Sequence, residues 1–233
     1  MLHFIENVTP SFRVQLKKAV IFMVKLHYIA NKSDSKNQLI VINHKVGDFM
    51  KFANRTKLVL AESIKELMEH IPLDKITVTQ IVNNCGTTRQ TFYRNFKDKY
   101  DLVNWYFDLI VQKTIKQMGI SLTLREGLVK KFSYMVEDKA FFSSALTSSD
   151  YNNLMNYDYQ CIRDFYCEVA QKNGEIDEEI QFLLEFYCHG SMDMTAEWVK
   201  NGMKLSPEEM SERLIQALPS KLEPYLGTLS RRS

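Results

Sequence analysis

The sequence predicts an all-α fold, on three observations. Apolar residues recur mostly at spacings of three and four, and few stretches alternate with the period of two that a half-buried strand needs. Glycine and proline are scarce, 8 and 5 in 233 residues, so the chain has few turn signals. Ser, Thr or Asp followed three residues later by Gln or Glu appears repeatedly ahead of apolar runs, which is how helices start. A hydrophobic fraction of 45% is enough to fill a core.

Residues 1–50 resist placement. SFRVQLKKAVIFMVKLHYI suits one helix and NQLIVIN one short strand, with no compact domain between them. MKFANRTKLVL from Met50 reads as a start of the regular part, so residues 1–49 are expected to be an upstream extension. From Lys51 the pattern is regular. Leu58, Ala61, Ile64, Leu67 and Met68 mark one face of a first helix, which Pro72 must end. Thr77 and Gln80 form a capping box for a second helix, with Ile76 and Ile81 as its hydrophobic staple. That helix ends near Asn84, because Gly86 suits the left-handed position after a helix. Thr87 and Gln90 predict a second box and a third helix running to about Phe96. Asp98 caps a fourth, with Trp105, Leu109 and Ile115 on its apolar side. GLVKKFSYMV, then DYQCIRDFYCEVAQKN ending before Gly174, then a long helix from DEEIQF ended by Gly202 follow. Ser206, Pro207 and Glu209 supply the cap, the N1 proline and the N3 glutamate of a last helix.

The net charge of +2 conceals an asymmetry. Residues 1–50 hold 7 Lys/Arg and 3 Asp/Glu, residues 51–100 hold 9 and 5, and residues 101–233 hold 14 and 20. A basic front joined to an acidic remainder suits a protein whose front meets a polyanion. Cys85, Cys161, Cys167 and Cys188 form no CxxC pair and read as free thiols of a reducing cytoplasm. AVIFMVKLHYIA (19–30) is too short to span a bilayer and is interrupted by Lys25, so no membrane association is expected.

The first three regular helices, with a short glycine turn between the second and third, read as a helix-turn-helix. In that unit the second of the two helices lies in the DNA major groove and the first braces it. Phe92 and Phe96, four apart, share the inward face of this recognition helix; Gln90, Tyr93 and Arg94 point away, and Arg89 lies near its N-terminal end. Arginine can donate two hydrogen bonds to guanine and glutamine can pair with adenine. Thr91 and Asn95 suit phosphate oxygens, and Lys99 sits at the next helix N-terminus, where charge and free N–H groups favour a phosphate.

The segment ITVTQIVNNCGTTRQTFYRNFKDKYDLVNWYF resembles the DNA-binding part of the TetR family of bacterial transcriptional regulators, over residues 54–107. The Thr-led second helix, the glycine turn, TFYRNF and KDKYDL carry the likeness. Cys85 stands where alanine is commoner and Gln90 where a small residue or proline is frequent, which bears on operator sequence rather than on DNA binding. The resemblance implies base contacts from Arg89, Gln90 and Tyr93, and phosphate contacts from Thr77, Thr91, Asn95 and Lys99. It implies an N-terminal three-helix DNA-binding domain over 51–100 and a helical dimerisation and effector-binding domain over 101–226, leaving 227–233 as a tail. FYCHGSMDMTAEWVKNGMKLSPEEM is similar to the C-terminal signature of the subgroup holding the dihydroxyacetone-kinase operon activator. Phe182, Gly190, Met194 and Trp198, with the helix after Ser206, are expected at a homodimer interface. Trp105, Phe132, Phe165, Tyr166, Phe186 and Tyr187 are expected to line an effector pocket, for a small molecule or a co-regulator protein. An effector is expected to alter the spacing of the two DNA-reading heads.

An enzyme is not expected. The sequence lacks GxSxG, GxGxxG, a P-loop and HExxH. Cys188 and His189 are neighbours that diverge by about 100° on a helix, Cys161 and Cys167 fit no common zinc spacing, and His44 and His70 lack an evident partner. No metal or cofactor is expected. The reading is a homodimeric regulator on double-stranded DNA with an inverted-repeat operator; a helical protein-interaction module with little DNA specificity is the alternative.

Overall fold

The structure is a computed structural model that describes residues 55–150 and 152–230. The expected helix and strand within residues 1–50 lie outside this range. Helix α1 (residues 55–68) buries Leu60, Ala61, Ile64 and Met68. Leu58, expected on that face, is 48% exposed. The position one turn before Ala61 belongs to Lys57, whose stem is buried and whose ammonium lies 4.9 Å from the Phe96 ring centroid and 5.2 Å from that of Trp105. A lysine can bury its methylenes and place its charge on aromatic faces, so an amphipathic side chain took a core position that the hydrophobic pattern assigned to its neighbour.

A single 3-10 turn, Leu73–Lys75, leads to α2 (Val78–Asn84). Thr77 and Gln80 form the reciprocal capping box, and Ile76 and Ile81 are both buried. After α2 the Gly86 amide donates to the Asn83 carbonyl (3.3 Å) and the Thr87 amide to that of Val82 (2.9 Å), with Gly86 at φ +65. This is a Schellman ending. It commits Thr87 to closing α2, and the cap of α3 (Arg89–Asn95) is therefore Thr88, whose hydroxyl accepts from the Thr91 amide. The expected Thr87–Gln90 box does not form, which leaves Gln90 free of a capping duty.

Helix α4 (Lys99–Lys113) is capped by Asp98 and buries Leu102, Val103, Phe107, Ile110 and Val111. Trp105 and Leu109 are only half-buried, and Ile115, though buried, falls in the 3-10 turn after the helix. The second domain continues with α5 (Leu124–Glu137), α6 (Lys139–Leu146), α7 (Leu154–Asn173), α8 (Glu178–Lys200) and α9 (Pro207–Gln216), then a short α10 (Glu223–Leu226). Gly174 and Gly202 end α7 and α8 as expected, and Ser206, Pro207 and Glu209 start α9. Leu229, assigned to a tail from sequence, is buried and packs over Gly119 at φ +74, where a Cβ would meet its side chain at 3.1 Å.

One ion pair lies deep in this domain. Lys131 on α5 meets both carboxylate oxygens of Asp158 on α7, at 2.9 and 2.6 Å, and both residues are buried. Burial pushes the Asp158 carboxyl up, against the pull of Lys131.

Candidate nucleic-acid interface

Helix α3 presents two chemically distinct sides. Phe92 and Phe96 are buried, with Phe96 edge-on to Trp105 at 5.6 Å, so the helix is seated on α4. Arg89, Gln90, Tyr93 and Arg94 are exposed on the opposite side. The Arg89 guanidinium lies 5.9 Å from the Tyr93 ring centroid and reaches the Thr79 hydroxyl of α2 at 3.4 Å. Tyr93 is 51% exposed. The Asn95 amide donates to the Thr91 carbonyl (2.8 Å), and the Thr91 hydroxyl pairs with that of Thr88 (3.0 Å). The Thr77 hydroxyl is engaged with Gln80. These local bonds hold the three polar side chains at the ends of α2 and α3.

The brace beneath α3 is polar as well as apolar. Ser63 of α1 donates to the Ile81 carbonyl (2.7 Å), and the Asn84 amide donates to Ser63 and to Glu66 at 3.2 and 2.7 Å. With α1 and α2 pinned together, α3 is offered as a rigid element.

Lys99 departs from its expected role. Its ammonium donates to the carbonyls of Leu73 (2.7 Å), Asp74 (2.9 Å) and Ile76 (2.8 Å). An ammonium has three N–H donors, so none remains for a phosphate. Desolvation in this position lowers its pKa. Lys99 locks the turn ahead of α2 onto the start of α4. Arg94 within α3 and Lys97 just after it are exposed cations, as is Lys75 in the turn before α2. Lys97 is marked in the sequence only by its place beside the recognition helix, a signal that Lys99 carries equally.

The expected dimer residues divide. Phe182 (64% exposed), Phe186 (65%), Gly190 and Met194 (58%) lie along one open side of α8 at four-residue intervals, with the two phenylalanine rings stacked at 6.2 Å. A Cβ at Gly190 would meet nothing within 4 Å. Trp198 is instead inside the protomer, 6% exposed, with its indole N–H donating to the Leu205 carbonyl and its ring 5.3 Å from Phe132. Phe186, expected in a pocket, belongs to the open side. Adjacent to it, Tyr159 of α7 stacks on His189 at 4.2 Å. Helix α9 turns Met210 and Leu214 inward and keeps Glu208, Glu209, Glu212 and Arg213 outside.

Of the remaining pocket residues, Phe132, Tyr166 and Tyr187 line a cavity of about 20 Å³ between α5, α7, α8 and α9, which Lys131, Ser191 and Thr195 also border. That is room for roughly one water. The Tyr187 hydroxyl donates to the Leu214 carbonyl (2.9 Å), and burial raises the Tyr166 phenol well above its ordinary value. Phe165 is buried outside the cavity lining, and Trp105 sits beside Lys57 at the domain junction. Among the described residues no group of His, Cys, Asp and Glu is placed to hold a metal, and no helix is long and apolar enough to cross a membrane.

A recognition helix braced by two others and joined to a larger helical domain defines a helix-turn-helix regulator. Residues 52–104 match the family described as "Bacterial regulatory proteins, tetR family", and residues 123–220 match "Transcriptional regulator C-terminal region". The chain belongs to the TetR family of transcriptional regulators, and is not an enzyme. Among curated proteins it is similar to the HTH-type dhaKLM operon transcriptional activator DhaS of Lactococcus lactis subsp. lactis (strain IL1403), 20% identical over 76% of this chain and 95% of that one. Its fold resembles two solved structures. One is the dihydroxyacetone kinase operon activator DhaS (19% identity, TM-score 0.55, covering 73% of this chain and 98% of that one). The other is a TetR transcriptional regulator from Streptococcus agalactiae 2603V (20% identity, TM-score 0.53, covering 81% and 99%).

Proposed function

We propose that this protein is a sequence-specific, homodimeric DNA-binding regulator, each protomer placing α3 in the major groove of one half of an inverted-repeat operator. The observation that carries the reading is the exposed row Arg89, Gln90, Tyr93 on a helix whose other side is anchored by Phe92 and Phe96. Arg89 and Gln90 read base edges and Tyr93 lies beside them, while Thr91, Asn95 and the cations Lys75, Arg94 and Lys97 hold phosphates; Thr77 is left out of that set because its one hydroxyl donor is engaged with Gln80. The second copy covers the open side of α8: three large exposed apolar side chains in one line are unusual on a monomer, and Gly190 at their middle lets two helices approach closely. A small ligand or a partner protein controls the dimer. The central cavity is lined by both aromatic and polar groups, and any ligand larger than a water must displace its walls.

The first experiment is an electrophoretic shift of the full chain on the DNA upstream of its own gene, at two salt concentrations with excess random competitor. A competitor-resistant, salt-sensitive complex supports the reading, and no binding even to random DNA at low salt rejects it. Arg89→Ala is expected to lose about 1–3 kcal/mol on the selected site and to discriminate less against substituted sites. Equal losses on cognate and random duplexes would remove Arg89 from the base-reading set. Phe186→Glu is expected to yield a folded monomer, read by sedimentation velocity with helix content from circular dichroism, because a carboxylate at the centre of a closed apolar seam has no partner. A dimer that survives this substitution places the interface elsewhere.

A further inference from the structure

Helix α6 touches the DNA-reading head at both of its ends, through two separate polar clusters. The side chain of its N-cap residue, Asp138, makes no hydrogen bond to its own helix. An aspartate at that position ordinarily accepts from the first-turn amides. Here the carboxylate pairs with Lys65 of α1 at 2.8 Å and accepts from the Tyr106 hydroxyl of α4, to which Lys65 also donates at 3.2 Å. Burial pulls the Lys65 ammonium down, and the bonds to Asp138 and Tyr106 outweigh it and hold its pKa above the ordinary value. At the other end, Asp74 in the turn before α2 accepts from the Ser148 hydroxyl and from the amide and hydroxyl of Ser149 (both 3.2 Å), and from the Tyr100 hydroxyl (3.2 Å). The neighbouring Leu73 amide donates to the Ser144 hydroxyl at 2.7 Å. The same turn is held from the head side by Lys99.

We infer that Asp74 and the Lys65–Asp138 pair are positioning residues that set which half-site spacing the dimer accepts. This rests on the proposed dimeric DNA-binding function. The dimer seam on α8 fixes the two bodies, and α6, packed against α7 and α8, carries that frame to the heads. Two clusters, one on α1 and one on the turn before α2, remove rotation of the head about either alone. Hydrogen bonds and ion pairs are directional, unlike apolar contacts, so they define an angle as well as an attachment. Each extra base pair between half-sites moves one of them by about 3.4 Å and rotates it by roughly a tenth of a turn. A head held at both ends of α6 cannot follow such a rotation, whereas a head held by apolar packing alone can. Neither Asp74 nor Lys65 lies on the exposed side of α3, so half-site reading is separate from spacing.

The test is selection from random duplexes with the full chain, wild type beside Asp74→Ala and Lys65→Met, scoring half-site sequence and spacer length separately. Wild type is expected to return one narrow spacer class. Both variants are expected to return the same half-site with spacers wider and narrower by about two base pairs, at less than tenfold loss on the wild-type spacer. Thermal melts identify a variant that has unfolded, and Asp74→Asn, which keeps the side-chain shape, then takes its place. Unchanged spacer distributions in folded variants overturn the inference while leaving the functional reading intact. Failure of the wild type to select any bipartite site overturns both.

Discussion

Lys131→Met is expected to destabilise the protein by roughly 3–5 kcal/mol, because it strands the buried Asp158 carboxylate without its partner. In a chain of this size each kcal/mol lowers the melting midpoint by about 2–4 °C, so the shift is on the order of 10 °C. The double replacement Lys131→Met with Asp158→Leu is expected to recover most of the loss, since apolar groups of similar volume fill a core about as well as a paired charge. Calorimetry on the four proteins of the cycle measures this coupling directly. Additive losses in the double variant would show that the two groups act independently, contrary to their bidentate contact. The pair has a functional bearing, because Lys131 also borders the central cavity and any ligand that opens it meets this charge.

Lys99→Met is expected to lower stability by about 2–3 kcal/mol, since three carbonyls lose a charged donor. Water reaches part of this site and limits the loss. DNA affinity should fall on all sequences, through loosening of the turn before α2. The distinguishing measurement is the salt dependence: a residue that binds a phosphate contributes about 0.9 to the slope of log affinity against log salt. The slope for Lys99→Met should match wild type, while Lys75→Ala and Lys97→Ala should each reduce it. A reduced slope for Lys99→Met would restore the phosphate role that its place in the sequence suggests.

What sequence made legible is local. Thr77 with Gln80, Asp98, and Ser206 with Glu209 each satisfy amides within one turn, so their effect depends on few other residues. Thr123 and Glu126 make a capping box of the same kind at the start of α5, as local as the others. Helix α6 is only eight residues long, and the one start signal it carries, Asp138, is turned to Lys65 instead of to the first-turn amides. Thr87, with Gln90 three residues on, is the expected cap from sequence, but the Schellman ending of α2 claims the Thr87 amide and the cap falls to Thr88.

The functional surface follows the same division. The inward Phe92 and Phe96 and the outward Arg89, Gln90 and Tyr93 are determined by helical periodicity within eight residues, and needed no fold to be seen. Tertiary structure alone decided that Lys57 rather than Leu58 points inward, that Lys99 serves the turn before α2, and that Phe186 faces outward while Trp198 faces in. Each of those outcomes depends on a partner distant in sequence: rings for Lys57, carbonyls for Lys99, a neighbouring helix for Trp198. A pattern along one helix specifies which side chains share a face; what that face meets is specified by the packing of all the others.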